Sequence, residues 1–233
     1  PAPENLKPES VLAAMGQCFF SLSLGMGAMM TYGSYLRKED GVVSSSVWVV
    51  LVDTGIALLA GFVIFPIVFA YGAEPAAGPG LVFVSLPLAF LDMPGGQIVA
   101  LAFFSLLLFA ALTSAISLLE VITAYFVDEF GVGRGKASIG FGSICFVLGA
   151  GCAYSDALFD AMDNIAFNYM LPLGALFISL FVGWRLKKQI AEEEFSEGWL
   201  PKVFGVWLWC VRIVAPALMI LVFLNVIGVV KFS

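Results

Sequence analysis

Six stretches of the chain, residues 11–36, 43–72, 97–127, 138–155, 164–184 and 205–230, run with at most one charged residue each. Each is 18 residues or longer, and at ~1.5 Å of rise per residue such a helix crosses a hydrocarbon core of roughly 30 Å. Lipid offers the backbone no hydrogen-bond partner, so these runs are expected to be helices rather than an open sheet. The pattern predicts an all-α, polytopic helix bundle with six crossings. Between the second and third runs, residues 73–96 hold EPAAGPG, the apolar LVFVSLPLAF and then LDMPGG. That apolar piece is too short to span and predicts a re-entrant or surface hairpin that could act as a lid.

The first run is punctuated at its centre by Ser21-Leu-Ser-Leu-Gly-Met-Gly27. Two glycines one residue apart weaken a helix, and the hydroxyls can satisfy freed backbone groups or a ligand. A broken helix follows. At membrane depth unwound backbone is tolerated only beside protein or a water-filled cavity, so the break is a candidate binding site; close helix packing through small residues is the other reading. Pro172 and Pro216 predict kinks inside the fifth and sixth spans. Residues 189–202, with Glu192, Glu193 and Glu194, form a polar connection, and no soluble domain is evident.

Composition agrees with the pattern: 61% of the 233 residues are hydrophobic and 12% charged. The net charge of −6 matters less than where the cations lie. Arg37, Lys38, Arg134, Lys136, Arg185, Lys187, Lys188 and Lys202 occupy the loops after the first, third and fifth spans, whereas the loops around Glu74 and Asp156 hold none. The positive-inside rule therefore puts the first group in the cytoplasm and the N-terminus outside. Cys18, Cys145, Cys152 and Cys210 lack metal-ligand spacing and there is no His, which argues against a zinc site or a Ser-His pair. The polar start PAPENLKPES has no signal-peptide pattern, so an outward-facing beginning predicts further spans upstream.

Asp53, inside VWVVLVDTGIALLAG, is the sharpest chemical signal: a carboxylate at that depth costs several kcal/mol unless a cation or donor compensates. Sodium or a proton would do so, as would hydroxyls on a neighbouring helix. Val52-Asp-Thr-Gly55 imitates an aspartic-protease signature, but the second Asp-Thr/Ser-Gly that such chemistry requires is missing. Thr113 and Ser114 form a hydroxyl pair, and Thr113, Ser117 and Glu120 fall on one helical stripe. Such oxygens suit a hard cation, although membrane hydroxyls also bond back to the preceding turn. Asp160 and Asp163 at the start of the fifth span, and Asp128 and Glu129 at the end of the third, read as interfacial solvation or as gates.

The run Gly16-Gln-Cys-Phe-Phe-Ser-Leu-Ser-Leu-Gly-Met-Gly-Ala-Met-Met-Thr-Tyr-Gly-Ser-Tyr35 closely resembles the broken sixth helix of the neurotransmitter:sodium symporter family, notably bacterial amino-acid members of the leucine-transporter type. Ala110-Ala-Leu-Thr-Ser114 resembles its eighth helix. The resemblance implies that the chain is helices six to eleven, the second half of an inverted-repeat fold. By position it implies Phe20, Ser21, Ser23, Gly25, Met26, Ser114 and Leu118 as substrate contacts, with Phe20 part of an aromatic lid. It implies Ser21 and Asp53 as ligands of a first sodium, and Ala110 through its carbonyl, Thr113 and Ser114 as ligands of a second. Asp163 resembles the outer gate carboxylate, and Asp128, near Tyr35, the cytoplasmic one.

Two departures refine the expectation. Met26 stands where the family usually has Phe, and its flexible thioether predicts tolerance of bulky hydrophobic amino acids. Asp53 stands where Asn is usual, and Ala57 where some bacterial relatives carry a Glu. Asp53 thus supplies ligand and balancing charge together, predicting chloride independence, although Gln17 and Ser21 still match chloride-site positions. The family's first and third helices, which complete the site, are not in these residues. The expected function is sodium-coupled symport of a hydrophobic L-amino acid by alternating access, without enzymatic chemistry. Expected partners are that amino acid, the bilayer of a plasma membrane, which the resemblance implies to be a bacterial inner membrane, and the missing N-terminal half, with no nucleic acid. Rival readings are an ion channel or pore lined by Asp53 and Ser/Thr hydroxyls, an intramembrane aspartyl hydrolase, and a structural subunit.

Overall fold

The computed structural model describes residues 8–37, 39–70, 80–196 and 200–226. The beginning of the expected hairpin (73–79), Lys38, and residues 227–230 of the last expected span lie outside the described residues. The described chain is helical throughout, as its apolar runs require. In order it forms α1 (Pro8–Ser21), α2 (Ala28–Ser34), α3 (Val42–Ala70), α4 (Leu81–Asp92), α5 (Gly96–Phe130), α6 (Arg134–Tyr154), α7 (Asp156–Arg185), α8 (Lys188–Glu194) and α9 (Phe204–Asn225). Five of these, α3, α5, α6, α7 and α9, are long and apolar enough to cross a membrane.

The chain divides into two compact units, each described by itself. One comprises residues 47–117. Its core is Val68, Leu86 and Phe90, with Ile64, Phe103 and Phe104 packed around them, so that α4 seats on the end of α3 and the beginning of α5. The turn from α4 into α5 is tight. Gly95 adopts φ +75°, and a Cβ on Gly96 would collide with the carbonyl oxygen of Phe90. Glycine is thus required there to bring α4 back onto its neighbours.

The other unit comprises residues 1–46 and 118–233, and its described part places α1 against α7 and α9 through Phe19, Ala175 and Val222. Three π-helical turns, Leu81–Ser85, Ile165–Met170 and Cys210–Val214, each precede a proline by one residue: Pro87, Pro172 and Pro216. A proline has no N–H to give the carbonyl four residues back, and a wider turn accommodates that missing bond. A fourth π turn, Phe181–Arg185, faces the one in α9. Across them Ser179 Oγ donates to the Val211 carbonyl at 2.8 Å, and Arg212 Nε donates to the Gly183 carbonyl at 2.5 Å. Side chains thereby use backbone acceptors on the neighbouring helix and fasten α7 to α9.

Most large apolar side chains point outward, from Phe62 on α3 to Phe146 on α6. α3 and α5 have mean hydropathies of 2.3 and 2.4 over their best windows and bury none of those windows within the fold. An apolar helix exposed on that scale is soluble in lipid, not in water. Several helices also outrun the apolar stretches that announced them. α7 begins at Asp156 rather than near residue 164, because Ser155 caps it by accepting a hydrogen bond from the Leu158 amide at 3.3 Å.

Candidate functional site

The interruption between α1 and α2 is built by the last turn of α1. The amide of Ser23 donates to the Phe20 carbonyl at 3.1 Å and that of Leu24 to the Phe19 carbonyl at 2.9 Å. These two bonds, one reaching back three residues and one five, are the Schellman ending of a helix, and Leu24 packs against the cluster of Phe19, Ala175 and Val222. The motif requires a left-handed residue, usually Gly, and here Ser23 takes it with φ +51°. Gly25 and Gly27 follow at φ +89° and +79°. Three left-handed residues in five keep the helix from continuing, so α2 begins only at Ala28. The result is a carbonyl-rich helix end inside an apolar segment, where orphan oxygens and the negative end of the helix dipole both favour a cation.

Around this break lie several of the expected contacts. Phe20 is half exposed and its ring stands 6.0 Å from that of Phe167 on α7, tilted by 51°. Gly16 lies beneath the same Phe167 ring. Met26 and Ser23 are partly buried, Ser21 is exposed, and Leu118 projects from α5. Phe167 did not stand out in the sequence, because one more Phe in an apolar run carries no local signal.

The unit of residues 47–117 holds the other expected ion ligands. Asp53 lies near the middle of α3 and is half-buried. On α5 the Thr113 hydroxyl donates to the Ala110 carbonyl at 2.8 Å, and that of Ser117 to the Thr113 carbonyl at 2.9 Å. Thr113 and Ala110 are therefore neighbours through one bond, the back-bonding typical of membrane hydroxyls. The Thr113 oxygen retains lone pairs, so the pair can still face a cation with two hard oxygens.

A polar cluster stands beyond α2. The Tyr35 hydroxyl donates to Glu120 Oε1 at 2.5 Å, and Arg134 Nη2 reaches the same oxygen at 2.5 Å. Glu120 is only 18% exposed whereas Arg134 is 63% exposed, so the carboxylate is the sheltered centre and the guanidinium its outer cover. The cluster ties the end of α2 to α5 and to the first residue of α6. Asp128, two turns further along α5, is exposed and makes no hydrogen bond or ion pair among the described residues. Asp163 is likewise exposed, near the end of the first α-helical stretch of α7.

The family model described as the sodium:neurotransmitter symporter family matches residues 3–233. A sodium-dependent transporter of Bacillus subtilis (strain 168), YhdH, is 38% identical over 98% of this chain and 53% of its own length. One from Haemophilus influenzae is 36% identical over 95% of this chain and 51% of its own. Among solved structures, the crystal structure of MhsT in complex with L-phenylalanine superposes with a TM-score of 0.83 at 42% identity, covering 94% of this chain and 52% of that one. The chain spans about half the length of these relatives.

Proposed function

The chain belongs to the sodium:neurotransmitter symporter family, and from that premise we propose that it is the second half of a symporter that couples sodium to the movement of a hydrophobic L-amino acid. It is a multi-pass membrane chain with the fold of MhsT's corresponding half, in a family of transporters rather than enzymes. The interrupted pair α1 and α2 supplies a sixth crossing beside the five uninterrupted helices, and a first half of the protein completes the site. A bacterial inner membrane is the proposed setting.

The observation that carries this reading is the left-handed run at Ser23, Gly25 and Gly27. It spends helical hydrogen bonds in an apolar segment, a cost that a bound ligand or ion can offset. Phe20, Ser21, Ser23, Gly25, Met26, Ser114 and Leu118 contact the amino acid. The partly buried Met26 adapts to bulky side chains, and L-phenylalanine bound to MhsT supports a substrate of that class. Ser21 and Asp53 hold one sodium, with the Asp53 carboxylate making chloride unnecessary; Ala110, Thr113 and Ser114 hold a second.

Asp163 serves the outer gate. On the inner side the Tyr35–Glu120–Arg134 cluster is the fastening that must open for release, with Asp128 acting outside it. Sodium and substrate binding must then favour one gate arrangement over the other, since a ligand shifts an equilibrium only by its differential affinity. The pore reading draws no support from a family of symporters.

The test is uptake into proteoliposomes by the full-length protein that carries this sequence. An inward sodium gradient is expected to drive accumulation of labelled L-leucine, L-phenylalanine or L-tryptophan. Sodium-independent flux, or flux of sodium alone at channel rates, would overturn the reading.

A further inference from the structure

The break does not hang free: it rests, backbone on backbone, on α7. A Cβ on Gly25 would run into the Leu171 carbonyl oxygen and lie 2.8 Å from the Ala175 amide nitrogen, the two ends of one helical hydrogen-bond position in α7. The contact is reciprocal. A Cβ on Gly174 would run into the Gly25 carbonyl oxygen and stand 3.0 Å from its carbon and 3.1 Å from its Cα. Neither residue has room for a methyl group. Gly25 needs glycine for its backbone as well, at φ +89°, whereas Gly174 sits in regular helix. Glycine in a helix interior costs stability relative to alanine. Gly174 therefore gives up helical stability only to let the Gly25 peptide approach.

The seat is also local. Beside it the elements part around an apolar cavity of about 250 Å³, whose walls include Leu24, Met29, Ile178, Val182 and Met219. On that side the glycine pair is the close backbone contact between the break and α7. The peptides it fixes join Ser23 to Met26, the residues assigned above to the substrate.

We propose that Gly174 is a positioning residue for the substrate site: its missing side chain lets α7 hold the Gly25 carbonyl in place, and through it sets the placement of Ser23 and Met26. This rests on the transport reading. A methyl group at 174 must displace the Gly25 carbonyl, and Ser23 and Met26 move with it.

The experiment measures sodium-stimulated binding of labelled L-leucine to the full-length protein carrying this sequence, for wild type, Gly174→Ala and Gly149→Ala. Gly149 lies in α6 with nothing near its Cβ position, so its variant controls for a helical Gly-to-Ala change. Gly174→Ala is expected to weaken leucine affinity roughly tenfold, by analogy with overpacked interiors, and to raise the sodium concentration needed for half-maximal binding, while Gly149→Ala binds as wild type does. A purely structural role would lower the number of sites and leave the affinity of the remaining ones unchanged, and that result overturns the proposal. If Gly174→Ala yields no folded protein, Ala175→Gly loosens the adjoining hold of α7 on the end of α1, where the Ala175 methyl packs with Phe19 and Val222, without crowding Gly25. Reduced affinity in that variant supports the proposal and unchanged affinity overturns it. Absence of sodium-stimulated binding in wild type would instead defeat the transport reading itself.

Discussion

The Tyr35 hydroxyl donates a 2.5 Å hydrogen bond to Oε1 of Glu120, a residue 85 positions later in the chain, and Arg134 closes on the same oxygen. One carboxylate oxygen thus joins the end of α2, the middle of a long helix and the start of the next. Since α2 begins at the break, whatever holds Tyr35 also holds the far side of the proposed substrate site.

Removing either partner should therefore loosen the same fastening. Tyr35→Phe and Glu120→Gln are each expected to lower sodium-stimulated ligand affinity, and the double variant to be no worse than the weaker single one. A double-mutant cycle on binding reads this directly. Additive losses would mean that the two side chains act separately.

Asp53 is expected to set both sodium affinity and chloride independence. Replacing chloride by gluconate should leave wild-type uptake unchanged. Asp53→Asn should raise the sodium concentration for half-maximal uptake about tenfold or more, equivalent to ~1.4 kcal/mol, or make uptake depend on chloride. Ion substitution in proteoliposomes measures both.

Ser23 ends α1 in a left-handed conformation that costs a non-glycine residue on the order of 1 kcal/mol. Ser23→Gly should raise thermal stability modestly, and Ser23→Val, branched at Cβ, should lower it. If the Ser23 hydroxyl also contacts substrate, the stabilised glycine variant will bind more weakly, so melting curves and binding curves should move in opposite directions.

In the unit of residues 47–117, Gly96→Ala should dislodge α4, because the new methyl group meets the Phe90 carbonyl. A loss of ~1–3 kcal/mol is expected from such overpacking. Faster protease cleavage near Leu81–Asp92 relative to wild type would report it.

The helical, membrane-embedded character was legible because charge is absent over runs longer than a bilayer requires. The break was legible as well, since Gly25 and Gly27 mark a weak helix. Its first left-handed residue was not singled out on that ground, because Ser carries no such mark and Ser23 takes the conformation through the Schellman bonds to Phe19 and Phe20. Pro172 and Pro216 announced distortion but not its form, a π turn ahead of each. Tyr35, Glu120 and Arg134 are each marked in the sequence for a different reason: as a gate residue, in a polar stripe and as a cytoplasmic cation. Nothing local pairs residues so far apart, and Asp128 was the partner that family position suggested. Gly174 went unremarked because its requirement comes from Gly25, a constraint that exists only once α1, α2 and α7 meet.

The proposed sodium-coupled amino-acid site is shared between this chain and a first half. The decisive measurement is equilibrium binding of labelled L-leucine and L-tryptophan, with and without sodium, to this chain alone and to the full-length protein carrying it. Sodium-stimulated binding is expected for the full-length protein only. Binding that ignores sodium in both would contradict a shared sodium-coupled site.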